Sequence, residues 1–124
     1  MLMQLDFSSD VPIYRQIRDQ LVLGIASGDL NAGDKLPTIR ALANEIGVNV
    51  MTVNKSYQIL KQEGFITADR RGGTVVSGQG SEALAKNISA ELNLSAASAK
   101  LAGLSREKWL DICGQAFDDL SNDI

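Results

Sequence analysis

The feature that most restricts this chain is a helical pattern that stops and restarts within a few residues. Around the stretch LANEIGVNVMTVNKSYQIL, residues 42–60, Ile39, Leu42, Ala43 and Ile46 hold the i, i+3, i+4, i+7 spacing of one buried helical face. Gly47 interrupts the pattern, and Val53, Tyr57 and Leu60 resume it six residues later. A connection that short sets two helices at a steep angle, so the second projects from the body with its first turn outward. Val53, Tyr57 and Leu60 then face inward, and Asn49, Thr52, Asn54, Lys55 and Lys61 are left outward.

The flanking segments complete a compact plan. Ser8, Ser9 and Asp10 offer capping oxygens, and Pro12 suits a first helical turn because its missing N–H is an orphan there. Tyr14, Ile17, Leu21 and Ile25 mark one face of a helix over about residues 11–27, which Gly28 ends. GDLNAGDKLP is dense in turn formers, with Leu30 and Leu36 as inward anchors, and can pair as a short strand. Pro37 and Thr38 open the second helix, Asn49 caps the third, and Gly64 stops it after Glu63. FITADRRGGTVVS predicts a hairpin with Arg70, Arg71, Gly72 and Gly73 at its tip.

GQGS, residues 78–81, is the natural domain boundary. Beyond it Leu84, Ile88 and Leu92 stripe a helix that runs to about Ala102 and ends at Gly103. Ser105 caps a last helix faced by Trp109, Ile112, Ala116, Phe117 and Leu120. The expected fold is mainly α with a small β-wing: a winged helix-turn-helix domain over 1–78 and a two-helix dimerisation tail over 79–124.

Composition narrows the chemistry. A chain of 124 residues is about one small domain with an appendage, and its formal charge is -3. That charge is unevenly spread. Residues 35–79 carry six Lys or Arg against three Asp or Glu, a local +3, whereas residues 80–124 carry four against seven, a local -3. Histidine is absent, which removes the usual general base and the commonest metal ligand. The one cysteine, Cys113, can form neither an intrachain disulfide nor a zinc site, and is read as a buried small residue. Trp109 and Phe117 are read as core or dimer contacts, and Asp118, Asp119 and Asp123 as a solvated face. The start, MLMQLDFSSD, lacks a basic n-region, and no apolar stretch approaches the roughly 18 residues of a membrane span. A cytoplasmic chain without a membrane partner, catalytic constellation or cofactor is expected.

PIYRQI, then GDLNAGDKLPTIRALANEIGVNVMTVNKSYQILKQEGFI, then RRGGTVV resemble the GntR superfamily of bacterial transcriptional regulators, strongest over residues 11–77. The short tail is similar to that of the YtrA-type subfamily. The resemblance implies a winged-helix domain that binds operator DNA as a homodimer, usually to repress. It also implies that Arg40 contacts a phosphate or base at the start of the second helix. Asn49, Val50, Met51, Thr52, Asn54 and Lys55 match the start of the recognition helix, and Arg70, Arg71, Gly72, Gly73 and Thr74 match the wing tip. This chain departs from many relatives in having Val50 and Asn54 where they carry arginine, and Arg71 at the first glycine of the usual wing motif.

Two functions follow for comparison. The first is a dimeric repressor of double-stranded operator DNA, and the second is a winged helix used for protein partners. The local +3 and the wing arginines favour the first. Asparagine pairs with adenine, and Thr, Val and Met suit thymine methyls, so an A/T preference in two inverted half-sites is expected. If Asn49 only caps its helix, Asn54 becomes the better reader and Thr52 the next. The family leaves room for a small-molecule effector, which the sequence does not identify.

Overall fold

A computed structural model describes residues 3–120. The elements are α1 (Ile13–Ser27), α2 (Ile39–Ile46), α3 (Val50–Gln62), β1 (Ile66–Ala68), β2 (Thr74–Val76), α4 (Glu82–Leu101) and α5 (Arg106–Leu120). They fall into two compact units, divided between Gly80 and Ser81. The mainly helical fold with a small antiparallel wing agrees with the sequence pattern.

In the first unit, the stripes of three helices converge. Ile17 and Leu21 of α1, Leu42 and Ala43 of α2, and Val53, Tyr57 and Leu60 of α3 are all buried. Burying each large side chain contributes about 1.5–3 kcal/mol, which stabilises short helices that would be marginal alone. Tyr57 is a fully buried aromatic with one polar atom, and its hydroxyl donates to the Pro37 carbonyl at 2.7 Å. Burial pushes that phenol up to about 12. At the rim, Arg18 Nε and Nη2 donate to the two carboxylate oxygens of Glu63 at 2.8 and 2.7 Å. The same guanidinium donates to Asp19 at 3.0 Å and lies 6.0 Å from the centre of the Phe65 ring. Hydrogen bonding to Glu63 raises the Arg18 pKa above its usual value, and the pair ties α1 to the end of α3.

The hairpin registers Ile66 with Val76, Thr67 with Val75 and Ala68 with Thr74. Ile66 and Val76 close the core from below, while Lys35 bridges Val75 as the short extra pairing anticipated in the turn-rich segment. Leu36 is buried as expected of an anchor, and Leu30 is half-buried.

The helix start differs from the expectation. α1 begins at Ile13, its N-cap is Pro12, and no side chain caps it. Ser8 and Ser9 are used locally: Ser8 Oγ donates to Asp6 Oδ1 at 2.7 Å, and Ser9 Oγ accepts from the Val11 amide. The segment leading into α1 is instead gripped by two side-chain amides one helical turn apart. Gln16 accepts from the Asp6 amide and donates to the Asp6 carbonyl, and Gln20 does the same with Gln4.

The second unit is two helices joined by a tight turn. Gly103 takes a left-handed φ of 88°, and Ser105 Oγ accepts from the Lys108 amide at 3.1 Å, as its capping role requires. Among its described residues the only buried apolar side chain is Ala99. Ile88, Leu92, Ile112 and Phe117 are exposed, Trp109 is half-buried, and Cys113 is half-buried rather than buried. Asp119 accepts from Gln115, and Asp123 lies outside the described residues.

Candidate nucleic-acid interface

The turn between α2 and α3 is built from residues 47–49. Gly47 adopts φ 72°, ψ 38°, a left-handed conformation that a side chain would strain, and its N–H reaches back to the Ala43 carbonyl. Asn49 follows in an extended conformation, and its Oδ1 accepts from the Met51 amide at 2.7 Å. That bond satisfies an orphan donor of the helix start and occupies the oxygen an adenine contact would need. At the other helix Thr38 Oγ1 accepts from Ala41 N at 3.0 Å, with Arg40 exposed in the same first turn.

α3 is sharply two-faced. Val53, Ser56, Tyr57 and Leu60 are buried, while Val50, Met51, Lys55 and Gln58 are exposed, and Thr52 and Asn54 sit half-buried at the margin. Met51 is 71% exposed and, with the exposed Val50 beside it, gives the first turn of α3 an apolar outer surface. Met51, Thr52, Asn54 and Lys55 share a groove of about 540 Å³ with Ile13, Tyr14 and Gln58. Four of the site residues expected from sequence are thus brought together. Arg40 and the wing residues are not part of that groove's lining.

One further member of this surface, and one residue buried behind it, are not among the site residues expected from sequence. Tyr14, one helix away, places its ring 4.0 Å from Lys55 Nζ. Ser56 is wholly buried, and its Oγ donates to the Tyr14 carbonyl at 2.7 Å. Its position on the grid of Val53, Tyr57 and Leu60 was the available signal, because a hydroxyl on a buried face needs an acceptor.

The wing tip is now defined. Gly72 and Gly73 take φ values of 95° and 84°, the Gly72 amide donates to the Asp69 carbonyl, and the Asp69 amide donates to the Gly73 carbonyl. No residue other than glycine has a positive φ among the described residues, so Arg71 fits at its motif position without backbone strain. Arg70, Arg71 and Gly72 are all exposed at the tip. Asp69 faces Lys35 at 3.9 Å, and neither arginine joins an ion pair among the described residues. Among those residues no group of His, Cys, Asp or Glu could hold a metal, and no helix is long and apolar enough to cross a membrane.

Comparison with known proteins agrees with this geometry. The family model described as bacterial regulatory proteins, gntR family, matches residues 13–76, which holds α1, the helix-turn-helix and the wing. The chain is 42% identical over 76 residues to the HTH-type transcriptional repressor YtrA of Bacillus subtilis, covering 61% of this chain and 58% of that one. It spans about three fifths of the length of the curated relatives it first matches. A solved structure of YtrA from Sulfolobus acidocaldarius, a GntR-family transcription factor, is 42% identical with a TM-score of 0.64, covering 78% of this chain and 99% of that one. The DNA-binding domain of AraR in complex with operator ORX1 is 25% identical with a TM-score of 0.53, covering 60% of this chain and 95% of that one.

Proposed function

We propose that this chain, which belongs to the gntR family of bacterial regulatory proteins, is a cytoplasmic, sequence-specific transcriptional repressor that binds an inverted-repeat operator as a homodimer. The observation that carries the reading is α3 itself: its inner face completes the core, while Met51, Thr52, Asn54 and Lys55 line an open groove. A helix presented this way can enter a major groove with its N-terminal turns against base edges. Asn54 is the principal reader, able to pair bidentately with adenine, with Thr52 second and Met51 offering apolar contact to thymine methyls. Asn49 serves as the cap that fixes the helix start. Arg40, Lys55, Arg70 and Arg71, with the Gly72 tip beside them, supply phosphate contacts that position the protein without specifying sequence. The relative named a repressor and the related domain solved on an operator support the reading.

The tail is the dimerisation element in this proposal. Leu92, Ile112 and Phe117 are at least 41% exposed, and two helices with so little buried surface need a covering partner. A second copy supplies one, and its two-fold axis makes the operator a pair of inverted half-sites. Band-shift titration against DNA flanking the protein's own gene, at two salt concentrations, is the test. A discrete complex with two half-sites is expected, and Arg70→Ala or Arg71→Ala should each shallow the salt slope by about one. Binding that ignores both sequence and salt would overturn the reading in favour of a protein-docking winged helix.

A further inference from the structure

The groove beside α3 holds a contact that the reading above does not use. Lys55 Nζ lies 4.0 Å from the centre of the Tyr14 ring, within the range of a cation–π interaction. Lys55 is exposed and joins no ion pair among the described residues, and the Tyr14 ring is the group its ammonium faces. The backbone of Tyr14 is held in turn. Its carbonyl accepts from the wholly buried Ser56 hydroxyl at 2.7 Å, which ties the first turn of α1 to the middle of α3. Ser56 adjoins Lys55 in sequence, so one turn of α3 both carries the cation and holds the backbone from which the ring projects.

We infer that Tyr14 is a positioning residue for DNA binding: its ring pre-orders Lys55 for a backbone phosphate beside the recognition helix. This rests on the DNA-binding reading of α3. A free lysine side chain loses rotamer freedom when it meets a phosphate, and a side chain already held over a ring loses less. The ring leaves the charge intact. Its face neutralises nothing and accepts no proton, unlike a carboxylate, which would compete with phosphate for the ammonium. The first turn of α1 thereby becomes part of the interface without touching a base.

The pairing makes a pattern that a general packing role would not. Against a mixed-sequence duplex of about three helical turns, Tyr14→Leu should weaken binding about two- to fivefold, the value of an exposed cation–π contact. The salt slope should not change, because no charge is lost. Lys55→Ala should shallow the slope by about one. Combined with Lys55→Ala, Tyr14→Leu should add no further loss, because the group it positions is gone. Tyr14→Phe should bind as the unaltered chain does, and proton NMR should show upfield ring-current shifts at the Lys55 Cε protons that Tyr14→Leu abolishes.

Equal losses from Tyr14→Leu with and without Lys55 would make the ring a packing residue and overturn the inference. A loss in Tyr14→Phe matching Tyr14→Leu would do so too, by making the hydroxyl the contact. Unchanged Lys55 shifts in Tyr14→Leu would show that the ring does not hold the lysine. Failure of the unaltered chain to bind any duplex would remove the DNA-binding reading and this inference together, whereas normal binding with no effect of Tyr14→Leu would remove the inference alone.

Discussion

The two units of this chain treat their apolar residues in opposite ways. In the first, Ile17, Leu42, Val53 and Leu60 are fully enclosed, and the exposed side of α3 is left to polar groups with Val50 and Met51 in its first turn. In the second, a helix of 20 residues and one of 15 enclose only Ala99 among the described residues, and large apolar side chains face outward. The lesson concerns cooperativity. A unit with its own core melts by itself, whereas one without a core derives its stability from whatever covers it, and so from concentration. If a second copy provides that cover, folding of the tail and assembly on DNA are one equilibrium.

The largest effect should therefore come from the tail, on association. Leu92→Asp together with Phe117→Asp places charge on the exposed apolar faces without touching the first unit's core. Sedimentation should show a monomer, and affinity for a duplex with two half-sites should fall by about 10²–10⁴, the loss of avidity between linked sites. Affinity for a single half-site should hold. A dimer that survives both substitutions would place the interface elsewhere.

The opposite change belongs to the core. Leu60→Ala should cost about 2–5 kcal/mol in unfolding free energy, because it leaves a cavity under three helices. Ile112→Ala, made in protein dilute enough to be monomeric, should cost about 0.5 kcal/mol or less, because that side chain is already exposed. The single tryptophan, Trp109, lies in the tail, so its fluorescence reports the second unit while ellipticity reports both. Superimposable transitions at every protein concentration would break the contrast between the units.

A third test sharpens what the exposed face of the first unit does. Asn54→Ala should cost about 1–3 kcal/mol on the operator and little on random DNA, and selection from random sequence should relax at one base position. Chain stability should stay within about 0.5 kcal/mol, since Asn54 contributes to no core contact of the Leu60 kind. The same operator selected at the same affinity would mean that α3 has been misplaced as the reader.

How much of this was legible depended on the range of each interaction. The Gly47–Asn49 turn, the Gly64 stop and the Ser105 cap were readable because their chemistry is local and the residue types are specific to it. The stripes named the centre of the core in the first unit, because three of them share one interior, while Tyr14, Ile25, Ile39 and Ile46 at their ends are only half-buried. The same kind of stripe in the tail could not say whether its cover lay within the chain. The amide grips of Gln16 and Gln20, the Arg18–Glu63 pair and the Tyr14–Lys55 contact were not legible. They join residues separated by 10, 16, 45 and 41 positions, and no periodicity encodes which polar side chains meet across helices. Ser8, Ser9 and Asp10 misled for a related reason: turn formers can satisfy one another as readily as a helix end.

The smallest expected effect isolates a single hydroxyl in the core. Tyr57→Phe keeps the buried ring but leaves the Pro37 carbonyl without its donor, which should cost about 0.5–1.5 kcal/mol at neutral pH. The pH dependence gives a second, sharper reading. The phenol ordinarily titrates near 10 and is pushed up to about 12 in the folded chain, because burial disfavours the phenolate. A group whose pKa is higher in the folded state contributes stability fully below its unfolded pKa and loses it as pH rises through the folded one. Thermal midpoints should therefore hold up to about pH 10 and fall between about 10 and 12, and Tyr57→Phe should remove that share of the fall. Because Tyr57 belongs to the first unit, the difference between the two proteins should be independent of protein concentration. A difference that grows on dilution would mean that the first unit, too, depends on a partner for its core.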